Sequence, residues 1–125
     1  MNIVISNKSG APIYEQIKEQ IRSAIICGEI AEGEMLPSIR SLAHDLRISV
    51  ITTTRAYNEL ESDGFIATVQ GKGCFVLPQN KEYIREQKLK EIEQHLTNAI
   101  TCSKLIKMPN KELKEIFNIL IEEEN

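Results

Sequence analysis

The stretch from Leu36 to Val76, LPSIRSLAHDLRISVITTTRAYNELESDGFIATVQGKGCFV, leaves this chain little choice of fold. Ser38 can accept a hydrogen bond from a first-turn amide and so start a helix, with Pro37 holding the incoming chain extended. Ile39, Leu42, Ala43 and Leu46 then recur at helical spacing on one face. Arg47 and Ile48 make a turn and Ser49 is a second N-cap. The next helix is expected to run to about Asp63, where Gly64 supplies the left-handed residue that a helix end needs. Phe65, Ile66 and Val69 precede Gln70-Gly71-Lys72-Gly73, and Cys74, Phe75 and Val76 follow. Two β-prone runs about a glycine-rich turn predict a hairpin. Helix, short turn, helix and hairpin make a winged helix-turn-helix, whose second helix commonly enters the DNA major groove.

Within the second helix, Thr53, Ala56 and Leu60 share the side facing the other helices. At about 100° per residue, Ile51, Thr54, Arg55 and Asn58 fall on the opposite face. Their chemistry suits DNA: threonine and asparagine bond phosphates or base edges, arginine forks onto guanine, and Ile51 packs on a thymine methyl.

Before this core, Ile3 and Ile5 alternate in an arm read as extended, with a strand possible. Pro12 suits the first turn of a helix. Ile13, Ile17, Ile21, Ala24 and Ile25 then form its buried face, Glu15, Lys18, Glu19 and Arg22 its wet side, and Gly28 its end. Tyr14 is read as a packed ring with a wet hydroxyl, the alternative being a contact to a phosphate. Met35-Leu36 is placed to add a short strand to the hairpin.

After Pro78 the pattern changes. Leu89, Ile92, Leu96, Ala99, Ser103 and Ile106 alternate steps of three and four, the seam of a helix pair. Met108-Pro109-Asn110 breaks the run, with Asn110 a candidate cap. Leu113, Ile116, Phe117, Leu120 and Ile121 form a second stripe, and Glu122-Glu123-Glu124 predicts fraying, since negative charge is unfavourable at a helix C-terminus. The expected division is residues 1–78 as a winged helix-turn-helix and 79–125 as a helical tail. Leu89, Ile92, Leu96, Ala99, Leu113, Ile116, Phe117 and Leu120 are the predicted homodimer interface. The fold class is thus mainly α with a small β-hairpin wing plus a two-helix dimerisation tail.

The formal net charge of −3 opposes a general affinity for nucleic acid. The charge is uneven, however. Leu46 to Asn58 holds Arg47 and Arg55 without an acid, and Gly64 to Lys81 holds Lys72 and Lys81 without one. A local basic surface is enough to dock, and repulsion elsewhere orients the protein. Cys27, Cys74 and Cys102 lack metal-like spacing and read as reduced thiols, and His44 and His95 lie far apart. Neither a metal nor another cofactor is expected. The sequence shows no signal peptide and no run long enough to span a bilayer, so a cytoplasmic protein without a membrane partner is predicted.

Several fixed-spacing elements now agree in order: Ala11-Pro12-Ile13-Tyr14 with Gln16-Ile17, Leu36-Pro37-Ser38-Ile39-Arg40-Ser41-Leu42-Ala43, Thr52, Arg55-Ala56-Tyr57, Leu60-Glu61, Asp63-Gly64-Phe65-Ile66, Gly71-Lys72-Gly73 and Phe75-Val76. From Ala11 to Leu77 the chain closely resembles the DNA-binding domain of the GntR family of bacterial transcription regulators, and its short tail resembles the YtrA subfamily. The resemblance implies a dimeric, usually repressing, binder of a double-stranded DNA operator. It implies DNA contacts for Arg40, Ser49, Thr52 and Gly71, with Lys72 beside the last. Where many members carry arginine and then asparagine or a small polar residue after that serine, this chain has Val50 and Ile51. The usual base hydrogen bonds are therefore lost, and the operators of other members do not transfer. Arg47 stands where glycine is common and adds a phosphate contact. The candidate DNA surface comprises Ser38, Arg40, Arg47, Ser49, Val50, Ile51, Thr52, Thr54, Arg55, Asn58, Gly71 and Lys72. The tail is too short to enclose a metabolite pocket of a few hundred cubic ångströms, so no effector is assigned. YtrA-like regulators are often encoded beside transporter operons that they control. The alternative function is a winged-helix protein-interaction module, which has no need of Arg40, Arg55 or Lys72. An enzyme is not expected, since no nucleophile, base and orienting group occur together.

Overall fold

The computed structural model describes residues Met1–Glu124, and the chain divides between Asn80 and Lys81 into two compact units. The first holds α1 (Ile13–Ile26), α2 (Ile39–Leu46), α3 (Val50–Ser62), β1 (Ile66–Val69) and β2 (Gly73–Val76). The second holds α4 (Lys81–Leu105) and α5 (Asn110–Glu124). The hairpin wing on a helical scaffold is the predicted fold class.

Helix α1 begins one residue after Pro12, whose carbonyl accepts the amides of Glu15 and Gln16, both at 3.1 Å. Ile13, at the first position of the helix, is exposed, but the helix buries Ile17, Ile21, Ala24 and Ile25 as its spacing predicts. These meet Leu42, Ala56, Tyr57 and Leu60 of α2 and α3, and Ile66 and Val76 of the wing, in one apolar core. Lys18, which helical spacing assigns to the wet side, instead crosses to α3. Its ammonium lies 3.0 Å from Asp63 and 3.2 Å from Glu59. The bonds to Asp63 first, then to Glu59, raise its pKa against the opposing effect of burial. Tyr57 is buried, and its hydroxyl donates to the Pro37 carbonyl at 2.7 Å, tying α3 to the segment before α2. Burial pushes this phenol's pKa well above its usual range.

Strands β1 and β2 pair antiparallel with Ile66 opposite Val76 and Val69 opposite Gly73. The Lys72 amide closes on the Val69 carbonyl at 2.9 Å, with Gly71 at φ +80° as the third residue of a type II turn requires. Met35 bridges Phe75, and the Leu36 amide donates to the Cys74 carbonyl at 2.9 Å, so the predicted third strand joins the wing. The wing is fastened to α3 by Glu61: one carboxylate oxygen accepts the Thr68 amide at 2.8 Å and the Thr68 hydroxyl at 2.6 Å.

The N-terminal arm does not form a strand. Glutamine side chains of α1 stand in for a strand partner. The Gln20 amide group accepts from the Val4 amide at 2.9 Å and donates to the Val4 carbonyl at 2.7 Å. Gln16 does the same for Ser6, at 2.9 and 3.0 Å. Ile3 and Ile5 rest on the core. With both donor and acceptor of a residue satisfied by a side chain, no backbone ladder is needed.

In the second unit α4 ends at Leu105 and Lys107 follows left-handed at φ +54°, with Lys107 N–H bonded to the Lys104 carbonyl at 3.1 Å and Met108 N–H to the Ser103 carbonyl at 2.9 Å. This is a Schellman end without glycine. One expectation fails here. Asn110 lies inside α5 rather than capping it, because the Pro109 carbonyl already accepts from Glu112 and Leu113 at 3.0 and 3.2 Å. The terminal glutamates are included in α5, which is helical through Glu124. Among the described residues of this unit only Ser103 is buried. Leu113 is half-buried, while Leu89, Ile92, Leu96, Ala99, Ile116, Phe117 and Leu120 are exposed. Ile100 and Ile119, outside the predicted stripes, are exposed too. Between the helices lies a groove of about 470 Å³ walled by Leu96, Ala99, Ile100, Leu113 and Phe117. It is an open groove, so the tail encloses no pocket there, in keeping with its length. Among the described residues no helix is long and apolar enough to cross a membrane.

Candidate nucleic-acid interface

The interface is assembled from α2, the turn into α3, the exposed side of α3 and the wing tip. Both predicted caps form. Ser38 Oγ accepts the Ser41 amide at 3.0 Å, and Ser49 Oγ accepts those of Ile51 and Thr52 at 3.0 and 3.4 Å. Their hydroxyls thus first serve to start the helices, and each keeps its own proton for a phosphate. Arg40, in the first turn of α2, is exposed and has no ion-pair partner among the described residues.

Helix α2 ends with Arg47 left-handed at φ +56°. The Arg47 amide bonds to the His44 carbonyl at 3.2 Å and the Ile48 amide to the Ala43 carbonyl at 3.0 Å. Helix α3 ends the same way with Gly64 at φ +84°, through Gly64 to Glu61 at 3.1 Å and Phe65 to Leu60 at 3.0 Å. Arginine thus occupies a backbone conformation that glycine adopts without strain. The guanidinium it projects is exposed and unpaired among the described residues, on the turn that leads into α3.

Along α3 the outward side chains divide into two sets. Ile51 is 81% exposed and Val50 43% exposed. Asn58 is exposed and Thr52 half-buried. Thr54 is half-buried and its hydroxyl donates to the Val50 carbonyl at 2.8 Å, so only its lone pairs remain for a partner. Thr53 is fully buried, its hydroxyl donating to the Ser49 carbonyl at 3.1 Å.

Arg55 departs from expectation. The guanidinium lies 3.7 Å from the centroid of the Tyr14 ring and donates to the Tyr14 hydroxyl at 3.1 Å and to Glu59 at 3.3 Å. It is turned toward α1 rather than free to fork onto a base. Tyr14 is correspondingly more than a packed ring with a wet hydroxyl: that hydroxyl accepts from Arg55 and keeps its own proton to donate. Glu59 joins Arg55 to Lys18 and so links the two helices. The contacts of Tyr14 with Arg55 and of Glu59 with Lys18 span 41 residues, and that of Glu61 with Thr68 joins α3 to β1, so helical periodicity does not show them. The Leu60-Glu61 pair had marked the position of Glu61 without its purpose.

The wing tip presents Gly71 and Lys72, both exposed, and Lys72 has no acidic partner among the described residues. The structure thus gathers Arg40, Arg47 and Lys72 as free cations on α2, on the turn and on the wing. Val50 and Ile51 present hydrocarbon at the start of α3, while Arg55, its side chain 61% exposed, is engaged by Tyr14 and Glu59.

Comparison with known proteins agrees with this architecture. Residues 13–76 match the model of the gntR family of bacterial regulatory proteins. The HTH-type transcriptional repressor YtrA of Bacillus subtilis is 36% identical over 98 residues, covering 78% of this chain and 75% of that one. A crystal structure of a transcriptional antiterminator from Listeria monocytogenes superposes with a TM-score of 0.69 at 32% identity, covering 96% of this chain and 90% of the other. The DNA-binding domain of AraR, crystallised with operator ORX1, superposes with a TM-score of 0.54 at 30% identity over 61% of this chain and 95% of that domain. The chain belongs to the gntR family of bacterial regulatory proteins, as a DNA-binding transcriptional regulator of the YtrA-like kind built on a winged helix-turn-helix.

Proposed function

We propose that two copies of this chain, joined through α4 and α5, bind an inverted-repeat operator in the cytoplasm and repress the genes beside it. The observation that carries operator docking is the set of free cations, Arg40, Arg47 and Lys72, on α2, on the turn into α3 and on the wing. They flank the exposed first turn of α3, and each can neutralise a phosphate while that turn meets base edges. The protein-interaction alternative gives these cations no work. Dimerisation is supported by the tail: Leu89, Ile92, Leu96, Ile116, Phe117 and Leu120 are all exposed on the single chain, and large exposed apolar surface marks an interaction site. Two-fold symmetry in the protein then requires a two-fold site. Repression follows the relatives, and the resemblance to YtrA-type regulators makes a transporter operon the first target to examine.

Footprinting on the protein's own promoter region is the test. Two protected half-sites are expected. One protected half-site, or none at low salt, overturns the proposal.

A further inference from the structure

We infer that the recognition helix reads thymine methyl groups, so that each operator half-site places thymine beneath Val50 and Ile51; this rests on the operator-binding reading above. The inference comes from which groups of α3 are left free. Thr54 spends its proton on the Val50 carbonyl and Thr53 is buried. Arg55 is stacked on Tyr14 and paired with Glu59. Asn58 stands seven residues beyond Ile51, about 10 Å further along the axis, at the rise of a helix. The first turn is the part of a recognition helix that reaches base edges. There, half-buried Thr52 offers one hydroxyl, and the remaining outward surface is the hydrocarbon of Val50 and of Ile51, whose side chain is 81% exposed.

A hydrocarbon cannot bond the carbonyls, ring nitrogens or amino groups that distinguish bases in the major groove. The one edge feature it recognises is the C5-methyl of thymine. Covering that methyl removes apolar surface of both partners from water, and each methyl-sized group so removed is worth about four-fold in affinity. Cytosine with a C5-methyl presents the same group in the same place.

The test starts from a duplex enriched by the full-length protein out of a random pool. Each thymine is replaced in turn by uracil, which removes the methyl alone. Binding is expected to weaken about four-fold at one or two thymines per half-site and to stay within two-fold elsewhere. At those positions a 5-methylcytosine·guanine pair should bind about four-fold better than cytosine·guanine. Ile51→Ala, at an exposed position, should keep its circular dichroism and become indifferent to uracil at one position. Val50→Ala should do so at another. A selected site whose every thymine tolerates uracil within two-fold overturns the inference and leaves operator binding standing. So do Ile51→Ala and Val50→Ala proteins that both retain the full uracil response. If no sequence is enriched, operator binding fails and takes this inference with it.

Discussion

The two units of this chain treat the same kind of residue in opposite ways. In the first, Ile17, Ile21, Leu60 and Ile66 are almost completely withdrawn from water. In the second, Leu96, Phe117 and Leu120 are each more than 40% exposed, and only Ser103 is buried among the described residues. Apolar residues recur at helical spacing in both, more weakly along α4 than along α1 or α5. The difference lies in what the chain supplies to cover it. α1, α2, α3 and the wing close on one another, whereas two helices alone have only each other. Burial completed within one chain makes a domain that folds at any concentration. Burial left open makes stability depend on a second molecule.

The comparison breaks most visibly at Leu96. Leu96→Asp puts a carboxylate into the proposed seam, and sedimentation should show monomer where the parent is dimeric. The unfolding of residues 1–80 should stay in place. Dimers that survive this change would move the interface to another surface. Leu60→Ala tests the other unit: emptying a fully buried site should cost about 2–5 kcal/mol, independent of protein concentration in a denaturant melt. A concentration dependence would mean that the first unit too relies on a partner.

Tyr57→Phe is smaller. It leaves the Pro37 carbonyl without its donor, a loss of about 1–3 kcal/mol. It should also remove a pH dependence. The folded phenol's pKa is raised above the ordinary value of 10, chiefly by burial. Below pH 10 both folded and unfolded chains hold the proton and the stability is fully present. Above it the unfolded chain releases the proton first, so stability falls as pH rises toward the folded pKa. An alkaline melt of the Tyr57→Phe protein should lack that part of the slope. The smallest change goes the other way. Arg47→Gly relieves a left-handed arginine and should stabilise the first unit by about 1 kcal/mol, while lowering the salt dependence of DNA binding by about one contact per protomer. A destabilised Arg47→Gly protein would show that the side chain, not the backbone, governs that turn.

What was legible in the sequence is what is local. The caps Ser38 and Ser49, the stop at Gly64, the Gly71 turn and the buried face of α1 from Ile17 onward all depend on residues within a turn or two, and all form. Even Met35-Leu36 joining the wing follows from a short β-prone pair beside a hairpin. For the candidate site, helical spacing gives the face on which each side chain stands but not the neighbours that engage Arg55. Helical geometry put it on the outer face, but the partner that claims it, Tyr14, lies on another helix. Lys18 was misread for the same reason, since helical spacing says which side of α1 it occupies but not that Asp63 waits there. The arm was read from its alternating isoleucines, a strand signal. Its true partners are two glutamine side chains whose spacing along α1 matches alternate residues of the arm.

That pair of glutamines has a practical consequence. Every bond holding Val4 and Ser6 joins neutral groups. Counterions screen attraction between charges and leave neutral amide contacts nearly untouched. Adding salt therefore strips the protein from DNA while the arm stays where it is. A dye attached near Met1 would hold a constant signal through the titration, an internal reference against which a second dye on the wing reports only the loss of the duplex.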